Sequence, residues 1–153
     1  MKTMTTLVLA AFYASLAPCY AASPQMGTWN LNEAKSKLNP KGAKITKTVY
    51  VAVGDQVRIT LDGVGPDGKP IHDEWLGKLD GQDYAVVGDP RSDMRSYQTL
   101  DERTLELTVK KLGNMVTHGF VVISADGNTR TTLALVRDTD GKNMPFIAVY
   151  DKR

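Results

Sequence analysis

The sequence holds one cysteine and two histidines, and it lacks any block of like charge. With one thiol the chain cannot close a disulfide on itself or build a cysteine zinc cluster. Two histidines are a thin supply for a metal centre. Lysine and arginine number 19 against 17 aspartates and glutamates, for a formal net charge of +2. The two signs are interspersed, which excludes a basic nucleic-acid arm. The densest basic stretch is Lys35, Lys37, Lys41, Lys44 and Lys47, which reads as a solvated loop face. Ser92, Ser96 and Ser124 sit in no nucleophile-elbow context. Gly63 to Gly68 is not followed by Gly-Lys-Ser/Thr, so it is no phosphate loop. No cofactor motif and no catalytic constellation stand out.

The N-terminus has the layout of a secretory signal peptide. Met1-Lys2 precedes an uncharged apolar stretch, Leu7 to Ala17, and Pro18 breaks it. Small residues follow, so cleavage is expected after Ala21 or Ala22. The apolar stretch is shorter than the roughly 20 residues that span a bilayer. An uncleaved anchor and lipidation through Cys19 are the alternatives. The expected division is a signal at 1–21 and one domain over 22–153, exported to a periplasm or beyond and monomeric. The mature chain would carry no thiol, and its core alone would hold it together.

What the chain has in abundance is turns. Asp62-Gly63, Asp67-Gly68, Asp80-Gly81, Asp126-Gly127 and Asp140-Gly141 punctuate it. Asp-Gly between alternating runs is a strong hairpin signal, because glycine adopts positive φ without steric cost. From Ile45 the pattern has period two. The clearest run is Thr104 to Lys110, with Leu105, Leu107 and Val109 facing in. Gly63 to Pro70 is expected as one long loop, so the first two Asp-Gly pairs count as one connection. Met115 to Ser124 is nearly continuous and apolar, and is expected to be covered on both sides. Nine or ten short strands result. An all-β, antiparallel up-and-down meander of eight to ten strands must close or pack on itself to hide its edges. A closed barrel is expected, with a two-sheet sandwich as the alternative.

Gly27-Thr-Trp-Asn-Leu31, a brief helical or looped segment and then a hairpin meander resemble the calycin group, the lipocalins and fatty-acid-binding proteins. The resemblance implies a lipocalin-like barrel opened by the Gly27 strand and plugged by Trp29. Two family motifs are missing. Tyr150 follows Ala148 rather than an arginine two places before it, and Thr139-Asp140 lacks the tyrosine of the lipocalin Thr-Asp-x-x-Tyr pattern. The chain also resembles small exported bacterial proteins of unknown function that open with Gly-Thr-Trp and end in Val-Tyr-Asp-Lys.

His72-Asp73-Glu74 is the densest candidate for chemistry. On a strand His72 and Glu74 share one side, and Asp73 lies with Ile71 and Trp75. His72, Glu74 and His118 as a metal set is the weaker reading, and a solvated face is expected instead. Asp73 beside Trp75 on an apolar face needs a partner, and Arg95 is its candidate. With Tyr97, His118 and Phe120 these residues would give an apolar wall carrying a few polar groups, as a small-molecule pocket requires. The expected partner is a small hydrophobic or amphipathic molecule. A barrel filled by side chains, working through its surface, is the alternative, and an enzyme comes third.

Overall fold

The computed structural model describes residues 20–137 and 140–153. The signal-peptide reading therefore falls, up to Cys19, outside the described residues, as does Thr139. Short 3-10 turns at Tyr20–Ala22 and Glu33–Lys35 flank the first strand. The strands are β1 (Gly27–Leu31), β2 (Lys44–Val53), β3 (Gln56–Val64), β4 (Pro70–Gly77), β5 (Tyr84–Val87), β6 (Met94–Thr99), β7 (Thr104–Lys111), β8 (Asn114–Ile123), β9 (Thr129–Arg137) and β10 (Asn143–Lys152). Each pairs antiparallel with the next. β1 closes the circle by pairing with both β2, Trp29 opposite Thr48, and β10, Trp29 opposite Lys152. The fold is a closed ten-stranded barrel, which removes the edges that a meander would otherwise expose.

The Asp-Gly turns work as their chemistry dictates, with one exception. Gly68, Gly81, Gly127 and Gly141 have φ between 72° and 80°. Asp67, Asp80 and Asp126 each accept a backbone N–H two residues on, from Lys69, Gln82 and Asn128. Asp62-Gly63 is the exception and corrects the expected loop. Both residues lie inside β3, paired with His72 and Ile71. Glycine serves there for close approach. A Cβ on Gly63 would sit 2.3 Å from the Lys44 carbonyl oxygen, where β2 bulges between Ile45 and Lys47.

β8 also departs from expectation. Its inward row is Thr117, Gly119, Val121 and Ile123, while Met115 and Phe120 are exposed. The outer face of this strand is uncovered, and His118 and Phe120, expected on the interior wall, lie outside it. Gly119 sets the spacing to β9. A Cβ there would lie 2.1 Å from the Leu133 carbonyl oxygen and 2.5 Å from the Ala134 Cβ. Gly119→Ala is expected to cost about 1–3 kcal/mol through forced separation of the two strands. Calorimetry should show a melting temperature lower by several degrees, and an unchanged one would mean that the strands tolerate a wider spacing.

The core runs through the barrel. Trp29, Val57, Ile59, Trp75 and Val121 have no exposed surface, and Tyr50, Tyr97, Leu105 and Ile123 have almost none. Trp29 donates its indole N–H to the Gln25 carbonyl at 3.1 Å, and Gln25 in turn donates through Nε2 to the Arg103 carbonyl at 3.0 Å. These bonds tie the segment before β1 under one end of the barrel and close it.

Candidate functional site

Alternation on β4 and β6 turns Asp73, Trp75, Arg95 and Tyr97 into the barrel, where all four are buried. The expected pairing of Asp73 with Arg95 is present. Arg95 Nη1 and Nη2 donate to the two carboxylate oxygens, each at 3.2 Å. The pair spans β5, which contributes only two paired residues to each neighbour. Burial raises the Asp73 carboxyl above its ordinary value, with Arg95 pulling against it. Gly88 lets the next loop press on β4, since a Cβ there would meet the His72 carbonyl oxygen at 2.3 Å. That loop is held by Asp89, which accepts from Arg91 Nε at 2.8 Å and from the Ser92 hydroxyl at 3.0 Å.

The aromatic residues continue this layer across the interior. Trp75 donates to the Arg95 carbonyl at 2.8 Å, and its ring meets Tyr97 edge-on at 4.9 Å. Tyr97 meets Tyr50 edge-on at 6.4 Å, and burial pushes the Tyr97 hydroxyl well above its ordinary value.

Tyr50 leads to a residue that sequence reasoning missed. Arg130 on β9 is 3% exposed and donates through Nη2 to the Tyr50 hydroxyl. Its guanidinium carbon lies 4.8 Å from the Tyr50 ring centre and 5.2 Å from that of Tyr150, its cross-strand neighbour on β10. Burial pushes the Tyr150 hydroxyl up to about 12, with Arg130 acting in the opposite direction. That hydroxyl donates to the Ile45 carbonyl at 3.2 Å. Arg130 Nε has no hydrogen-bond partner, and neither has the Thr48 hydroxyl on the inward face of β2. No carboxylate pairs with Arg130 among the described residues. Among the described residues Arg95, Arg130 and Asp73 are the buried charged residues, and the Asp89 carboxylate, with its side chain 6% exposed, is paired with Arg91. Among the described residues the interior thus carries one positive charge without a carboxylate partner, met by the Tyr50 hydroxyl and the faces of two tyrosines.

Coverage of the interior is uneven. On β3 burial falls from Val57 and Ile59 to half-buried Leu61; on β7 it falls from Leu105 to half-buried Val109. The inward rows of β8 and β9 fade in the same way to Thr117 and Val136. The less covered end is the one opposite Gln25.

The remaining candidates stay apart. His118 Nε2 is 2.9 Å from Glu106 Oε1, and its ring lies 5.9 Å from Phe120, both on the outer face. His72 Nδ1 is 2.7 Å from Asp62, and Glu74 pairs with Arg58 at 3.4 Å. Among the described residues no three metal-ligating side chains come together. Lys35, Lys44 and Lys47 of the basic stretch pair with Asp151, Glu33 and Asp62.

No protein-family model matches the chain, and no curated protein matches it. Solved structures do. A redesigned β-barrel, mFAP1, bound to DFHBI is 18% identical, with 88% of this chain and 100% of that chain covered and a TM-score of 0.49. EF1p2_mFAP2b bound to DFHBI is 16% identical, with 87% and 97% covered and a TM-score of 0.51. The likeness is one of fold: the chain is a closed ten-stranded antiparallel β-barrel with meander topology.

Proposed function

We propose that this chain is an exported, monomeric carrier that binds a small, partly apolar molecule with an anionic group inside the barrel. The carrying observation is Arg130, a buried guanidinium with a free Nε–H and, among the described residues, no carboxylate partner. An anion bound inside the barrel would compensate that charge. It would accept from Arg130 Nε and take a further bond from the Thr48 hydroxyl. Asp73, Trp75, Arg95 and Tyr97 form the opposite wall, with the Asp73–Arg95 bridge fixing its shape. Export rests on the layout of residues 1–21. EF1p2_mFAP2b, which shares the fold, is bound to a small molecule, in keeping with a carrier role.

Calorimetric titration with dodecanoate and dodecanol tests the reading. Dodecanoate should bind about 10- to 100-fold more tightly than the alcohol, as one charge-assisted contact predicts. Arg130→Met should abolish that difference, while Arg130→Lys should keep part of it. Equal binding of acid and alcohol by the unaltered protein would overturn the reading. The second reading, a filled barrel that works through its surface, draws on the outer pair Phe120 and Leu133, about 40% exposed and directly opposed on β8 and β9. It gains if neither probe binds.

A further inference from the structure

We propose that the outer wall of β8, β9 and β10 is a self-complementary face on which two copies of this chain pair about a two-fold axis. The face is built on one register row that crosses the wall. Glu106 on β7 stands opposite Phe120 on β8, Phe120 opposite Leu133 on β9, and Leu133 opposite Ile147 on β10. Ile147 in turn stands opposite Lys37, which lies outside the ten strands but exchanges two backbone hydrogen bonds with it, at 2.7 and 2.9 Å. Cross-strand neighbours share a face. The row therefore reads acid, three apolar residues, base, all on the outside.

The middle of the row leaves apolar surface in water when a copy stands alone. Phe120 and Leu133 are exposed. Leu135, one step along the same face of β9, is exposed as well and stands opposite exposed Pro145. A contiguous apolar patch of this kind marks a contact surface. The two ends carry opposite charges. Lys37 is exposed and forms no ion pair among the described residues. Glu106 has one carboxylate oxygen 2.9 Å from His118 Nε2, a neighbour on the same outer face.

The charges at the ends choose the occupant. A two-fold axis lying in the contact plane along β9, close to Leu133, reverses the row of the second copy. Glu106 then faces the partner's Lys37, and Lys37 faces the partner's Glu106. Phe120 meets the partner's Ile147, and Leu133 meets the partner's Leu133. A face that is its own complement is what an isologous dimer requires. An occupant without both signs at that spacing would leave one end unmatched. The barrel wall is convex, so the contact is small, and the charged ends carry the long side chains that reach across the widening gap. Small interfaces are weak, and the expected dissociation constant is on the order of 100 µM. A dilute copy is therefore monomeric, as the carrier reading has it, and the pairing holds whatever occupies the barrel.

Sedimentation velocity at protein concentrations up to about 1 mM tests the pairing. The unaltered protein should pass reversibly from monomer to dimer as concentration rises. Leu133→Lys sets two ammonium groups together on the axis and should abolish the dimer over that range. Lys37→Glu and Glu106→Lys each turn both end contacts into like charges, and each should weaken the dimer about 10-fold. The double variant, Lys37→Glu with Glu106→Lys, restores opposite signs at both ends and should regain the affinity of the unaltered protein. None of the three positions is buried, so the barrel core is untouched in every variant. A monomer throughout, or a double variant no tighter than the singles, would overturn the proposal. So would growth into larger species, since a closed two-fold contact stops at two copies.

Discussion

Replacing Arg95 by Met is expected to lower the unfolding free energy by about 3–5 kcal/mol at neutral pH, because it strands a buried carboxylate. Asp73 has no exposed surface, and both of its oxygens lose their partners in the variant. The deficit should depend on pH in a definite direction. Burial already holds the Asp73 carboxyl above its unfolded value of 3.8 against the pull of Arg95. Without Arg95 it rises further. A carboxyl whose folded pKa exceeds its unfolded one favours the folded state below the unfolded pKa. That contribution is lost as pH rises through the folded pKa. The variant should therefore recover toward the unaltered protein as pH falls into the ordinary carboxylate range. Urea denaturation across that range checks it. The double variant Asp73→Leu with Arg95→Met removes both charges and should regain most of the loss. A single variant that costs under about 1 kcal/mol at neutral pH would mean that the pair is solvated, against its burial.

This pair was legible in the sequence because two local rules agreed. Period-two alternation placed Asp73 beside Trp75 on the inward face of β4, and a buried carboxylate requires a cation. The four true Asp-Gly turns were legible for the same kind of reason, since their chemistry acts within three residues. Asp62-Gly63 was not, because its glycine answers to the Lys44 backbone on another strand. β8 failed for want of contrast. Both of its faces carry apolar residues, and the choice between Val121 and Phe120 as the inward side is made by Gly119 against Ala134, a contact between strands.

Arg130 was the least legible of all. On β9 one phase holds Arg130, Thr132 and Ala134, and the other holds Leu133 and Leu135. Hydrophobicity selects the leucines as the core, yet they are 40% and 47% exposed while Arg130 is buried. The inversion costs the chain twice, by wetting two leucines and by burying a charge. A fold optimised for stability alone would place these rows the other way round, so the inversion is itself a pointer to function at Arg130. The missing arginine two places before Tyr150 belongs to the same point. The guanidinium that meets Tyr150 comes from the neighbouring strand, through a register that no local pattern encodes.

Trp29→Ala should destabilise the barrel by about 3–5 kcal/mol, the range for deleting a buried aromatic side chain. Three losses are folded into that figure, and variants separate them. The first is volume, since Trp29 has no exposed surface and closes the ring where β1 joins β10 to β2. The second is the 3.1 Å bond to the Gln25 carbonyl. The third is the Lys152 ammonium, 4.9 Å from the ring centre. Trp29→Phe keeps most of the volume and drops the bond, so it should cost about 1–2 kcal/mol. Lys152→Met removes the cation alone, and Lys152 lies at the exposed end of β10, so its cost should stay near 0.5 kcal/mol. Denaturant titration of the three should rank alanine first, phenylalanine second and the lysine change last. If Lys152→Met proved as costly as Trp29→Phe, charge on the indole face would be holding the closed end, and packing could not be its main support. The expected ranking follows from where each group sits: the indole is enclosed on every side, while the ammonium that covers it is half in water.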